Sequence, residues 1–217
     1  MGVLLLVRHG QASFGADDYD VLSDVGWEQG RLLGDRLREA GVAPEAVVRG
    51  GMRRHRETAE AAGWAAAETD PGWDEFDHLS VVAAYPDKPE GELDRREFQR
   101  VFELATARWS GGGHDPEYAE PWPAFRARVR ESFAAAAARA GQGRTAVVVS
   151  SGGPIAAVCA DLVDPEADDA THARLWSRLN TVLVNSSVTR VVVGSTGARL
   201  LTYNEHPHLS GDLVTYR

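Results

Sequence analysis

The sequence predicts an α/β fold: a single domain whose central sheet is mostly parallel and carries helices on both faces. Three observations point there. Two uninterrupted apolar runs, Val3-Leu4-Leu5-Leu6-Val7 and Thr145-Ala146-Val147-Val148-Val149, read as strands buried on both faces rather than half-exposed, alternating ones. Each run stops abruptly, the first at Arg8-His9-Gly10-Gln11 and the second at Ser150-Ser151-Gly152-Gly153-Pro154. Strand ends of this kind are where such folds place their ligands. Around the two runs, helical patterns alternate with short strands, as a sheet covered on both sides requires.

The elements follow in order. Ser23 to Ala40 reads as an amphipathic helix with Trp27, Leu32, Leu33 and Leu37 near one face, Ser23 or Asp24 as its cap and Gly41 as its stop. Ala46-Val47-Val48 is a short strand, and a helix follows from about Met52 to Ala62. Ser80 to Glu92 is polar and proline-bearing, a loop suited to covering a cleft. Phe98, Val101, Phe102 and Leu104 among charges make Glu92 to Trp109 helical, broken by Gly111-Gly112-Gly113. Pro121 stands in the first turn of an alanine-rich helix reaching Ala140. Ile155 to Leu162 is helical, Asp164 to Asp169 is an acidic loop, and strands are expected at Thr181 to Val184, Val188 to Val193 and Leu200 to Tyr203. With 217 residues, no internal repeat and no long linker, one domain spanning residues 1–217 is the expectation.

Composition narrows the function classes. No apolar run approaches the roughly 20 residues that cross a bilayer, and no basic leader precedes Val3, so no membrane or secretory role is expected. Cys159 is the single cysteine and lies in an apolar stretch. It forms no internal disulfide, fits a reducing, cytoplasmic setting and reads as a small core residue. The net charge of −9 argues against nucleic acid or anionic membrane as partners. Against that background Arg49, Arg53, Arg54, His55 and Arg56 form a local basic cluster. His, Cys and carboxylates do not cluster at metal-ligand spacing, so neither metal nor other cofactor is expected.

The strand ends carry the chemistry. An arginine, an imidazole and a glycine in sequence can bind an anion, attack it and let it approach the backbone. The glycines of the second strand end open a helix, whose first N–H groups form an anion site. Together with five further matches this pattern resembles the histidine phosphatase superfamily, or phosphoglycerate mutase-like family, over nearly the whole chain. The segments are Leu22-Ser23-Asp24-Val25-Gly26-Trp27-Glu28-Gln29, Met52 to Ala59 with its Glu57-Thr58-Ala59 ending, Trp73-Asp74-Glu75-Phe76-Asp77, and Phe125-Arg126-Ala127-Arg128-Val129, followed by Asn185-Ser186-Ser187 and Asn204 to Leu209 near the end.

The resemblance implies a phosphoglycerate mutase-like fold and a phosphorylated small molecule as partner. By it, His9 is the nucleophile that becomes a phosphohistidine, splitting one hard displacement into two. Arg8 and Arg54 bind phosphate through their planar forks. Glu75 matches the general acid, with Asp74 and Asp77 as competitors, and a carboxyl facing phosphate has its pKa raised. Ser151 and Gly152 fall at the phosphate-binding helix start. Gln11 and Ser13, in the loop after His9, either touch substrate or bond their own backbone. Arg53 and Arg56 fall on other helix faces. Trp73, Phe14 and Tyr85 are candidates for an apolar pocket, with ordinary packing the commoner role.

One departure stands out. The family usually carries a second histidine where this chain has Ser151, and a hydroxyl donates a hydrogen bond without bringing positive charge. Reduced or restricted activity is the expectation, with His78 the candidate for compensation and His55 expected to point elsewhere. A serine-hydrolase reading of Ser151 fails because Val149 stands where a nucleophile elbow has glycine. A phosphatase is thus the leading reading. Mutase-type phosphoryl transfer and a phosphatase-like binding or regulatory module are the alternatives.

Overall fold

The two apolar runs pair with each other at the middle of one sheet. In the computed structural model, which describes residues 1–13, 20–89, 91, 93–141 and 143–216, β1 (Gly2–Arg8) runs parallel to β4 (Thr145–Ser150) with Leu5 opposite Val147 and Arg8 opposite Ser150. β2 (Ala46–Arg49) flanks β4, and the two-residue β3 (Glu68–Thr69) flanks β2, both in parallel. On the other side of β1 the antiparallel hairpin β5 (Val188–Gly194) and β6 (Gly197–Glu205) completes the order β3-β2-β4-β1-β5-β6.

Alternation along the central strands divides the core. Leu4, Leu6, Ala146 and Val148 face a larger cluster, while Leu5, Val7, Val147 and Val149 face a smaller one. The smaller side is covered by α1 (Asp24–Glu39) and α2 (Arg53–Ala61), through Leu33, Leu37 and Ala59. The larger side holds α3 (His78–Ala83), α4 (Arg95–Ser110), α5 (Trp122–Ala140), α6 (Gly152–Val163) and α7 (Asp169–Val182). At its centre Phe76 stacks on Trp109 with ring centroids 4.6 Å apart, and Trp122 lies 5.0 Å from Trp109 and 4.8 Å from Trp176. Cys159 is buried in the same cluster, where burial pushes its thiol up to about 12.

Three expectations are corrected. Trp27 is 39% exposed. The buried face of α1 is instead built on Gly26, Gly30 and Gly34, because α1 packs so close to α2 that a Cβ on Gly34 would stand 2.4 Å from the Ala62 carbonyl oxygen. The segment expected as a loop from Ser80 contains α3, whose start is capped by the Asp77 carboxylate accepting from the Leu79 and Ser80 N–H groups. Glu92 itself lies outside the described residues. Thr181 and Val182 end a helix rather than begin a strand. α7 is capped by Asp168 and buries His172, Ala173 and Trp176, so its tertiary contacts override the β-branched residues at its end. As expected, the glycines open α6, which begins at Gly152.

Trp109 is fully buried among four other aromatic rings, and its indole N–H donates to the Glu120 carbonyl. Trp109→Ala is expected to cost about 3–5 kcal/mol through lost transfer energy and the cavity left behind. Urea unfolding of the variant against the native chain measures it.

Candidate active site

The parallel pairing of β1 and β4 brings two polar strand ends together. The His9 N–H donates to the Ser150 carbonyl at 2.8 Å, so His9 and Ser151 leave the sheet side by side. On its other flank the His9 carbonyl accepts from the Ser186 N–H (3.1 Å) and the Asn185 side-chain amide (3.3 Å). Ser186 reaches this position in the left-handed region, at φ 58°, which few non-glycine residues enter without a local reason. Asn185 and Ser186 are fully buried.

The loop after His9 is fastened to both helices of the smaller side. The Gly10 N–H donates to Thr58 Oγ1 at 2.9 Å, and that hydroxyl donates in turn to the Arg54 carbonyl at 2.7 Å. A Cβ on Gly10 would stand 2.4 Å from the Gly26 carbonyl oxygen. Gly10 therefore admits the close approach of α1. Gln29 accepts the Gln11 N–H and donates to the Leu213 carbonyl and the Thr215 hydroxyl, tying the loop to the C-terminal segment. Glu57 accepts the Leu22 N–H at 2.8 Å.

These fastenings aim the side chains. His9 Nδ1 lies 2.7 Å from the Gly10 carbonyl, which fixes the proton on Nδ1 and leaves Nε2 with a lone pair. Burial first, then the charges of Arg54 and Arg8 and the nearby His55, hold the His9 pKa well below the usual histidine range. The lowered pKa favours the neutral imidazole near pH 7. Arg8 donates to the Leu183 carbonyl and, at 3.0 Å, to the Tyr216 carbonyl. Arg54 is buried and donates to the Asp20 carboxylate at 2.8 Å. Arg53 and Arg56 point outward and pair with Glu57 and Glu60 on their own helix.

Glu75 approaches from the larger side. Its Oε2 accepts the Gly153 N–H at 3.0 Å and its Oε1 accepts the Phe76 N–H at 3.2 Å. A Cβ on Gly153 would stand 2.0 Å from Oε1, so the glycine at the start of α6 serves the carboxyl rather than a phosphate. Burial raises the Glu75 pKa, outweighing the two N–H groups and the Arg54 and Arg8 charges that pull it down. The loop carrying Glu75 is held by Arg128, whose guanidinium donates to the Gly72 and Asp74 carbonyls at 3.0 and 2.7 Å. Asp74 faces away from this position and accepts the Gly51 and Met52 N–H groups, while Asp77 caps α3.

The other expected residues divide. Gly152 opens α6 beside Asn180, against whose Oδ1 a Cβ would press to 2.4 Å. Gln11 is engaged by Ser23, whose hydroxyl donates to its side-chain oxygen at 2.9 Å. Ser13 donates its N–H to the Val21 carbonyl. His78 begins α3, meets the Phe102 ring edge-on at 6.2 Å, and has its pKa lowered by burial and then by Arg54. Trp73 is fully buried in the core, and Phe14 lies outside the described residues.

His55 is the main surprise. It does not point elsewhere: it is fully buried, its Nε2 lies 2.7 Å from Ser151 Oγ, and its ring centroid is 5.8 Å from that of His9. Its place directly after Arg54 argued for another direction, since helix neighbours are turned by about 100°. At the first turn of α2, however, both directions lead into the site, one toward Asp20 and the other toward β4. Among the described residues no group of three or more His, Cys, Asp or Glu side chains is placed to hold a metal ion, and no helix is long and apolar enough to cross a membrane.

Comparison with known proteins gives a consistent family. The family model of the histidine phosphatase superfamily (branch 1) matches residues 4–206. Among solved structures, a phosphoserine phosphatase mutant from Entamoeba histolytica in complex with phosphoserine is 17% identical, covering 97% of this chain and 100% of that one, with a TM-score of 0.66. A putative alpha-ribazole-5'-P phosphatase from Escherichia coli is 18% identical over 94% of this chain and 97% of that one, with a TM-score of 0.65. A mycobacterial glucosyl-3-phosphoglycerate phosphatase is 22% identical over 94% and 99%, with a TM-score of 0.64. No curated protein matches the sequence significantly.

Gly153→Ala tests the closeness of Glu75 to α6. The added Cβ is expected to expel the carboxyl from the helix start, breaking its hydrogen bond to the residue 153 N–H. A crystal structure of the variant reads the displacement directly.

Proposed function

The chain belongs to the histidine phosphatase superfamily, and from that premise we propose that it hydrolyses a small phosphomonoester through a phosphohistidine on His9. The observation that carries the reading is the neutral His9 imidazole, its Nε2 lone pair set by the Nδ1 contact to Gly10, lying close enough to Arg8 and Arg54 for their charges to depress its pKa.

In the first step His9 Nε2 attacks phosphorus. The N–P bond forms as the ester P–O bond breaks, and the leaving alkoxide takes the proton of the Glu75 carboxyl. In the second step water attacks the phosphohistidine, gives a proton to the Glu75 carboxylate, and releases inorganic phosphate with His9 restored. Arg8 and Arg54 neutralise the charge spread over the equatorial oxygens, the main demand of phosphoryl transfer. Glu75 suits the acid role because burial keeps it protonated above the ordinary carboxylate range. The named relatives act on phosphoserine, a ribazole phosphate and a glucosylated phosphoglycerate, which supports a small phosphorylated metabolite as substrate class. The absence of basic surplus in a chain of net charge −9 fits such a substrate better than nucleic acid.

Two outcomes check this reading. Hydrolysis of 4-nitrophenyl phosphate is expected to vanish in His9→Ala, and rapid-quench mass spectrometry of the native enzyme should find the phosphoryl group on the peptide containing His9. Phosphate release that survives His9→Ala sinks the proposal.

The pH profile follows from the two shifts. His9 acts deprotonated and its pKa is lowered, so activity is lost only as pH falls well below the usual histidine range. Glu75 acts protonated and its pKa is raised, so activity is lost as pH rises beyond the ordinary carboxylate range. Glu75→Gln is expected to remove the alkaline limb and lower kcat on an alkyl phosphate by about 10²–10⁴. Its effect on the first-step burst of 4-nitrophenol from 4-nitrophenyl phosphate, whose leaving group needs no proton, should be much smaller.

A further inference from the structure

The pair His55 and Ser151 has no part in the two steps above, yet it is built with care. Both residues are fully buried, and they meet at 2.7 Å where α2 and the start of α6 converge beside His9. On the far side of the ring, His55 Nδ1 makes no hydrogen bond and stands 3.7 Å from Asp74 Oδ1, within ion-pair range for a protonated imidazole. Asp74 is itself fixed by the Gly51 N–H at 2.5 Å and the Met52 N–H at 3.3 Å. The end of β2 leaves room for the pair through Gly50, where a Cβ would stand 2.2 Å from His55 Nδ1 and 2.7 Å from Asp74 Oδ1. A buried imidazole held between a carboxylate and a hydroxyl, on a backbone that admits nothing larger than glycine, is more than packing.

We propose that His55, aligned by Asp74 and acting through Ser151, supplies the positive charge and the directed hydroxyl proton that stabilise the phosphoryl group in transit to His9. His55 is thus a positioning residue, and Ser151 is the group that meets the phosphoryl oxygen. The inference rests on the phosphatase reading and deepens it at the same site.

Charge balance gives the sequence of events. Burial, with the Arg54 and Arg49 guanidiniums adding to the effect, holds the His55 pKa well below the usual histidine range and favours the neutral ring. The groups facing it are Arg54 on its own helix, Arg49 at the end of β2, Asp74, His9 and Ser151. With Nε2 unprotonated, the Ser151 O–H donates to the ring and is turned away from the site. A phosphate dianion entering between Arg8 and Arg54 offsets the charges that oppose protonation. His55 then takes one proton from solvent at Nε2 and donates it as a hydrogen bond to Ser151 Oγ. The hydroxyl hydrogen is released to a phosphoryl oxygen, and Asp74 faces the cationic ring at Nδ1. When phosphate leaves, the proton returns to solvent.

The same three residue types form the nucleophilic triad of serine hydrolases. That use does not fit this geometry. The Ser151 backbone is extended, at φ −110° and ψ 172°, without the strained turn that presents a nucleophilic serine.

The test combines kinetics with a direct view of the ring. With 4-nitrophenyl phosphate, His55→Gln and Ser151→Ala are each expected to lower kcat by about 10²-fold, the usual cost of one oriented donor at a developing charge. The double variant should lose no more than either single one, because the two residues act as a unit. His55→Ala/Ser151→His, which transfers the imidazole to the residue whose hydroxyl meets His55 Nε2, should recover most of the loss. Unfolding midpoints close to the native value exclude misfolding as the cause. A folded His55→Gln variant with native kcat, or losses that multiply in the double variant, overturns the proposal. Nitrogen-15 NMR of the imidazoles gives an arm that needs no turnover. Adding orthovanadate to the native protein should convert the His55 signals from the neutral to the imidazolium pattern, and a ring that stays neutral also overturns the proposal. His9→Ala in the same assay separates the two levels: activity that survives it defeats the phosphatase reading, whereas activity lost with His9 but indifferent to His55 defeats only this inference.

Discussion

Everything at the site depends on the parallel pairing of β1 with β4. Arg8 lies opposite Ser150, and the hydrogen bond from His9 to the Ser150 carbonyl extends that register by one residue beyond the sheet. Strands joined in this way end at the same height, so the histidine of one and the serine of the other emerge as neighbours. The chain then departs to opposite faces, through α1 after β1 and directly into α6 after β4. The crevice between these departures is the topological switch point at which α/β sheets bind ligands. A one-residue slip would send Leu4 and Leu6 to the smaller cluster and Leu5 and Val7 to the larger, so the apolar core enforces the register that the site requires.

The second constraint is electrostatic. A protein with net charge −9 concentrates Arg8, Arg49 and Arg54 around one buried histidine pair. Burial first, and then their field, lowers the pKa of both imidazoles. Arg54 and Arg8 also pull the Glu75 pKa down, against the burial that raises it. A cluster of this kind favours negative charge between the arginines, and the Asp20 carboxylate accepts from Arg54. The lowered His9 pKa and the raised Glu75 pKa are both consequences of desolvation, which penalises the charged form of each.

A third feature is that many of the motif residues hold other motif residues and touch no ligand. Thr58 fastens Gly10 to α2, Gln29 fastens Gln11 to the C-terminal segment, and Arg128 fastens the Glu75 loop through two carbonyls. The aromatic cluster continues the support, since Trp176 donates its indole N–H to the Gly153 carbonyl at 3.0 Å and Phe76 follows Glu75 directly into the core. Such fastening fixes reacting groups to within the small tolerances that catalysis needs.

Two uninterrupted apolar runs and their abrupt polar ends were enough to read the sheet and its central strands from the sequence alone, whereas His9, Arg8, Arg54 and Glu75 were singled out by the resemblance of their segments to the histidine phosphatase superfamily. These features are local: period, capping and residue chemistry are written in adjacent positions. What neighbours in sequence do not encode is which side of a helix or glycine will meet a distant element. Gly10 and Gly153 look like anion cradles, yet they admit α1 and the Glu75 carboxyl. Trp27 looks like a core residue, yet the glycine face of α1 makes the close contact. Thr181 and Val182 look like strand, yet they form the exposed end of a helix anchored by buried His172, Ala173 and Trp176. His55 is the sharpest case. Its residue type was visible, but only the convergence of α2, Asp74 and the end of β4 turned it toward Ser151, because the direction of a side chain is decided by the space that packing leaves open.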